Sequence, residues 1–188
     1  MASAYLTRTP SSAGNRKTYT FSSWLKLSKI ATSDMMIFTS RDTGSTFYGQ
    51  IQIGASSNPY CQILGTNVSL RTNQLFRDLS AWYHFVVAID TTQATASNRV
   101  KLYVNGSQVT SFSTETYPSQ NADTDFNQAV QHSIGSLQPF GGNYFDGSMA
   151  HVHFIDGTAY DADTFGETDS TTGIWKPKTA PSVTYGTN

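Results

Sequence analysis

Apolar and polar residues alternate over short stretches along most of this chain. No segment keeps the three-to-four spacing of an amphipathic helix. The alternation is cleanest in Val100-Lys101-Leu102-Tyr103-Val104-Asn105-Gly106. Period two places Val100, Leu102 and Val104 on one face of a strand and Lys101, Tyr103 and Asn105 on the other. Asn105-Gly106 then predicts a hairpin turn, because both residues tolerate positive φ. Ahead of it, Trp82-Tyr83-His84-Phe85-Val86-Val87-Ala88-Ile89-Asp90 is apolar on both faces. That predicts an interior strand, with Trp82, Phe85, Val87, Ile89, Leu102 and Val104 largely buried.

Further strands are predicted over residues 19–28, 35–40, 47–53, 60–64, 68–72, 108–113, 130–134 and 149–155. In the third of these, Tyr48, Gln50 and Gln52 share one face against Phe47, Gly49, Ile51 and Ile53. Turns fall at residues 41–44, 56–59 and 65–67, and residues 114–128 read as a long loop. Residues 162–165 suggest a single helical turn. About a dozen short strands broken by Gly, Asn and Pro imply an all-β, antiparallel two-sheet sandwich.

The order of three blocks resembles the laminin-G-like, concanavalin A-like jelly roll. They are Tyr19-Thr20-Phe21-Ser22-Ser23-Trp24-Leu25-Lys26, then the Trp82 run with Val100–Gly106, then Ser133-Ile134-Gly135 followed by Tyr144-Phe145-Asp146-Gly147-Ser148-Met149-Ala150-His151-Val152-His153-Phe154. The resemblance implies a jelly-roll domain over residues 1–156 and a C-terminal extension over 157–188 that packs on it or leads out of it. It implies no single function, because this fold hosts lectins, adhesion modules, glycosidases and structural domains.

The tail carries a second resemblance. Ile155-Asp156-Gly157, Phe165-Gly166-Glu167-Thr168-Asp169 and Trp175-Lys176-Pro177-Lys178 are similar to a pattern in uncharacterised structural proteins of tailed, mostly marine, bacteriophages. This chain stops inside that pattern, as an excised domain or a shortened relative would.

The totals narrow the choice. Twelve Lys and Arg face thirteen Asp and Glu over 188 residues. With no basic run, a phosphate-tracking nucleic-acid surface is not expected. The longest apolar run, Phe85 to Ile89, is too short to span a membrane. Cys61 is the only cysteine, so no internal disulfide can form, and it reads as a small buried hydrophobe. Met1–Leu6 has no charged start and apolar core of a leader. With the phage resemblance, these features imply a virion protein, assembled in a reducing cytoplasm and acting outside the cell.

Enzyme chemistry finds few residues. Retaining glucanases of this fold use closely spaced carboxylates on one strand. The two glutamates, Glu115 and Glu167, are far apart in sequence, and Asp161 and Asp163 sit in the tail. A non-enzymatic module is therefore expected. His151 and His153 suggest a two-ligand metal face, or simply two polar side chains opposite Ala150, Val152 and Phe154. Calcium is the one cofactor the family resemblance implies, with Asp42, Asp123, Asp125 and Asp146 as candidate oxygen donors and no spacing that selects among them.

Sugar binding needs an aromatic face and amide or carboxylate groups. Gln138-Pro139-Phe140-Gly141-Gly142-Asn143-Tyr144 supplies both, as does Ser57-Asn58-Pro59-Tyr60. Tyr48, Asn58, Tyr60, Phe140, Asn143 and Tyr144 are the candidate ligand-binding residues. The competing reading packs Phe140 under its own loop and starts a core strand at Tyr144-Phe145. Trp24, Trp82 and Trp175 read as core or tail-docking residues. The expected partners are a host-surface glycan, other virion proteins and further copies of the chain. A purely structural assembly or capsid-decoration module is the alternative, and a glycoside hydrolase the third.

Overall fold

A computed structural model describes residues 3–30, 32–44, 48–55 and 58–186. Phe47 of the predicted third strand and Ser56 and Ser57 of the predicted turn lie outside these residues. The strands are β1 (Leu6–Arg8), β2 (Thr18–Leu27), β3 (Met35–Arg41), β4 (Tyr48–Ile53), β5 (Tyr60–Gly65), β6 (Val68–Leu75), β7 (Tyr83–Asp90), β8 (Val100–Val104), β9 (Ser107–Gln108), β10 (Phe112–Thr116), β11 (Gln131–Ile134), β12 (Gly147–Asp156), β13 (Gly166–Thr168) and β14 (Trp175–Pro177). They form a seven-stranded sheet, β1-β11-β3-β4-β5-β6-β10, a five-stranded sheet, β12-β2-β7-β8-β9, and the small β13-β14 pair. Every pairing is antiparallel. The result is the antiparallel sandwich that the alternation predicts, with the jelly-roll form that the family resemblance implies.

The apolar run from Tyr83 is the middle strand of the five-stranded sheet, between β2 and β8. Asn105 and Gly106 take φ of 49° and 84° at the hairpin turn, as their dipeptide demands. Phe85, Val87, Ile89, Leu102 and Val104 point between the sheets and meet Ile51, Ile63 and Leu70 from the other layer. Phe21 stacks on Phe38 across the core, with centroids 4.9 Å apart. Cys61 is fully buried, and burial pushes its thiol pKa up to about 12.

Four expectations need correction. Trp82 is 41% exposed rather than buried. Period two turns it away from Phe85, towards the outer side of the sheet, and the strand begins one residue later. The predicted 108–113 strand is two elements. After Val109 donates its N–H to the Leu102 carbonyl, the chain leaves the five-stranded sheet and joins the seven-stranded one as β10. The predicted 114–128 loop therefore starts late. β12 is longer than expected and carries a bulge between Ala150 and His153, where His151 has φ +49°.

The tail lies across the outer face of the five-stranded sheet. Ala162, in the 3₁₀ turn Ala162–Thr164, and Phe165 pack on Val86 and Ile155, joined by Tyr103, Tyr160, Trp175 and Val183. Trp175 docks as its tail position suggests, with its indole Nε1–H donating to His84 Nδ1 at 3.0 Å. Trp24 is buried and stacks on the same histidine, with centroids 4.8 Å apart. One outer face of the sandwich is thus closed by the chain itself.

Candidate functional site

The tail cluster does not reach the outer face of the seven-stranded sheet, which the 135–143 loop covers in part. The side chains of this face follow from the strand registers. Arg41 stands beside Tyr48, Thr39 beside Gln50, and Met36 beside Gln52. Gln50 stands beside Leu64, and Gln52 beside Gln62. Gln62 stands beside Arg71, and Leu64 beside Ser69. Thr114 and Thr116 of β10 extend the last two rows. Ile51, Ile53 and Ile63 take the opposite face and fill the core. The polar strip read from Tyr48, Gln50 and Gln52 therefore continues across three more strands. Gln50 and Gln52 are packed down among their neighbours, at 8% and 3% exposure.

An aromatic–guanidinium stack marks each end of the strip. At one end the Arg41 guanidinium carbon lies 4.4 Å from the Phe140 centroid and 5.9 Å from that of Tyr48. At the other the Arg71 guanidinium carbon lies 3.6 Å from the Tyr60 centroid. Tyr60 lies flat where Gly54 has no side chain, since a Cβ there would come within 2.0 Å of its ring. Between the stacks Gln52 Nε2 donates to Asp34 Oδ2 at 3.2 Å and to Gln62 Oε1 at 3.3 Å. Gln52 Oε1 accepts no hydrogen bond among the described residues.

The 135–143 loop forms one wall of this face. Gly135 N–H donates to the Ile37 carbonyl, and Met36 N–H donates to the Asn143 carbonyl. Both ends of the loop are thereby tied to the start of β3, while Phe140 reaches Arg41 at the end of that strand. Phe140 is 51% exposed, so it does not pack under its own loop. Thr39 Oγ1 donates to the Ser136 carbonyl beneath the loop.

The sequence-predicted residues do not gather in one place. Tyr48 and Phe140 stand at one end of the outer-face strip and Tyr60 at the other. Asn143 and Tyr144 instead line an open cleft of about 860 Å³ with Tyr5, Lys29 and Asp146, where the Tyr5 and Tyr144 rings are 6.1 Å apart. The core strand does not begin at Tyr144; Phe145 is buried and β12 starts at Gly147. Asn58 is exposed and accepts a hydrogen bond from Arg77. Arg41 and Arg71 escaped the sequence reading, which looked for amides and carboxylates in loops. Their alternation with core residues was visible, but which strands neighbour one another was not.

The candidate calcium donors are scattered, and three of the four are engaged. Asp123 pairs with Arg16 at 3.7 Å. Asp125 accepts from the Thr66 N–H and hydroxyl. Asp146 accepts from Ser28 and pairs with Lys29, and those two partners hold its carboxyl below the usual range. Asp42 stands apart after β3, with a buried Oδ1 that has no hydrogen-bond partner among the described residues. These carboxylates do not fit a shared calcium site, because they lie in separate places and Asp123, Asp125 and Asp146 already serve protein donors. Among the described residues no three His, Cys, Asp or Glu gather as a metal site. His153 bonds Tyr185 at 2.7 Å and packs on Phe165, while His151 is exposed at the bulge.

Comparison with known proteins agrees with this architecture. A laminin-G-type profile, described as the concanavalin A-like lectin/glucanases superfamily, matches residues 2–163. The fold is similar to a heptameric SAP-like pentraxin from Limulus polyphemus, with TM-score 0.56 and 13% identity over 83% of this chain and 70% of that one. It is similar to domain 4 of AbnA, a GH43 extracellular arabinanase from Geobacillus stearothermophilus, in complex with arabinotriose. That match has TM-score 0.52 and 17% identity, covering 77% of this chain and 63% of that one. It is also similar to tailspike protein 2 from Escherichia coli O157:H7 bacteriophage CAB120, with TM-score 0.55 and 13% identity over 86% of this chain but 22% of the tailspike. No match is found among curated proteins. The profile covers most of the chain and the sandwich agrees with it, so the chain belongs to the concanavalin A-like lectin/glucanases superfamily.

Proposed function

We propose that this domain is a non-enzymatic carbohydrate-binding module, that it uses the outer face of the seven-stranded sheet, and that it serves a phage tail or fibre protein at a host surface. One observation carries the reading. Aromatic rings stand at both ends of an amide-lined strip on the one outer sheet face that the tail leaves open. Rings cover the C–H faces of sugars, and glutamine amides serve hydroxyls as both donor and acceptor. The family supports a glycan ligand, since it unites lectins with glucanases. A fold shared with a tailspike supports the setting. The two glutamates lie on different sheets, Glu115 on β10 and Glu167 on β13, and so form no carboxylate pair of the glucanase kind.

Single-domain affinity is expected near the millimolar range, about −4 kcal/mol. Useful attachment then comes from several copies. The test is a glycan array probed with the domain displayed on a multivalent carrier. Retention of a glycan set that Tyr60→Ala and Phe140→Ala each reduce, at unchanged melting temperature, is the expected result. Absence of retention by the wild-type display would overturn the proposal in favour of a purely structural virion module.

A further inference from the structure

Resting on that reading, we infer that the ligand is an anionic saccharide chain whose carboxylate or sulfate groups are met by Arg41 and Arg71. The ion pairs among the described residues are Arg16–Asp123, Lys29–Asp146 and Lys176 with Glu167 and Asp169. Arg41 and Arg71 take part in none of them. Each instead lies over aromatic rings. Stacking uses the flat side of a guanidinium and leaves its in-plane N–H edge free, the edge that grips a carboxylate or sulfate in bidentate fashion. Arg41 Nε is buried and has no acceptor among the described residues, so the grip of Arg41 on an anion comes through its two Nη atoms.

Among the described residues the strip itself carries no counter-charge, and neither arginine is paired with the carboxylates at its rim. The floor between the two stacks is Thr39, Gln50, Gln52, Gln62, Leu64 and Ser69, all uncharged. Asp34, at the rim, is occupied by the Ala55 N–H at 2.6 Å and by Gln52. Asp42 follows Arg41 in the chain without pairing to it. A neutral glycan would engage the half-buried Gln62 and leave both guanidiniums without a charged partner. The two stacks are three strand spacings and about four residues apart, on the order of 20 Å. One sugar unit cannot touch both, so the ligand is a chain.

The experiment compares retention of the multivalent domain on three immobilised polymers, a polyuronate, a sulfated dextran and neutral dextran. The two charged arms separate carboxylate from sulfate as the source of the anion. At least tenfold stronger retention on one charged polymer than on neutral dextran is expected, weakening as salt rises. Arg41→Gln and Arg71→Gln should each remove most of that advantage, whereas Lys101→Gln, on the outer face of the other sheet, should not. Arg41→Lys keeps the charge without the planar fork and should give an intermediate loss, at an unchanged melting temperature. Equal retention on neutral and charged polymers, or charged retention indifferent to both arginine variants, would overturn the anionic assignment while glycan binding stands. Absence of retention on any glycan, on these polymers and on the array alike, would overturn both readings.

Discussion

At the scale of single residues, His84 shows how the tail is held. Its ring is fully buried, stacked between Trp24 and Trp175. Nδ1 accepts the Trp175 indole N–H. In the neutral ring Nε2 therefore carries the proton, and it donates to Ser22 Oγ at 2.9 Å. A second proton would displace the Trp175 bond and leave an unpaired charge in an apolar site. Burial, with lesser contributions from His153 and His151, lowers the His84 pKa from 6.5 to about 4. His132 and His153 are also lowered, chiefly by burial. Between those pH values the unfolded chain binds more protons than the folded one, so stability rises with pH. The His84 contribution is complete above pH 6.5, falls as the pH drops towards 4, and amounts to about 3 kcal/mol. Melting temperature should therefore decline across this window, with Trp fluorescence reporting release of Trp175. His84→Gln should flatten the slope; an unaltered slope would assign it to the other histidines.

At the scale of elements, β7 is the member the sandwich cannot lose. It has a partner on each side, and Val87 is 1% exposed between the sheets. Val87→Asp should prevent folding, because an unpaired carboxylate there has neither water nor a donor. A cooperative melt in circular dichroism close to that of the parent would show that β7 is not central. This strand was legible because burial on both faces leaves a continuous apolar run, and β8 because one buried face leaves alternation. The hairpin was legible because Asn-Gly tolerates the positive φ the turn needs. β10 was not, since its exposed Ser and Thr residues carry no apolar period. Trp82 misled because an apolar side chain at a strand's end reads the same whether or not anything covers it. For the site, Tyr48, Tyr60 and Phe140 were legible as aromatics among polar neighbours. Their union with Arg41 and Arg71 depends on the order β3-β4-β5-β6, and on a loop that folds back along β3. Such long-range geometry leaves no local mark on the sequence.

At the scale of the whole molecule, the two outer faces differ in what the tail covers. The family profile ends at residue 163, yet the chain beyond it supplies Phe165 and Trp175, which cover the outer side of β7. Phe165 is 3% exposed and packs on Val86 and Ile155, and it also touches His153 and Tyr160. These contacts stabilise the fold and lie on the sheet opposite to the arginine–aromatic stacks. Phe165→Ala should therefore cost about 3–5 kcal/mol of stability and leave glycan retention by the folded domain unchanged. Tyr60→Ala should do the reverse, since Tyr60 is half-buried on the open face and its ring supports Arg71 rather than the core. Chemical denaturation measures the first quantity, and retention of the multivalent domain measures the second. If Phe165→Ala reduced retention while the domain stayed folded, the tail-covered face would have to contribute to binding. If Tyr60→Ala lowered stability as far as Phe165→Ala does, Tyr60 would be a packing residue and the strip would lose one of its two anchors. Opposite effects from the two variants would establish that one face is closed to hold the sandwich together and the other is left open to bind.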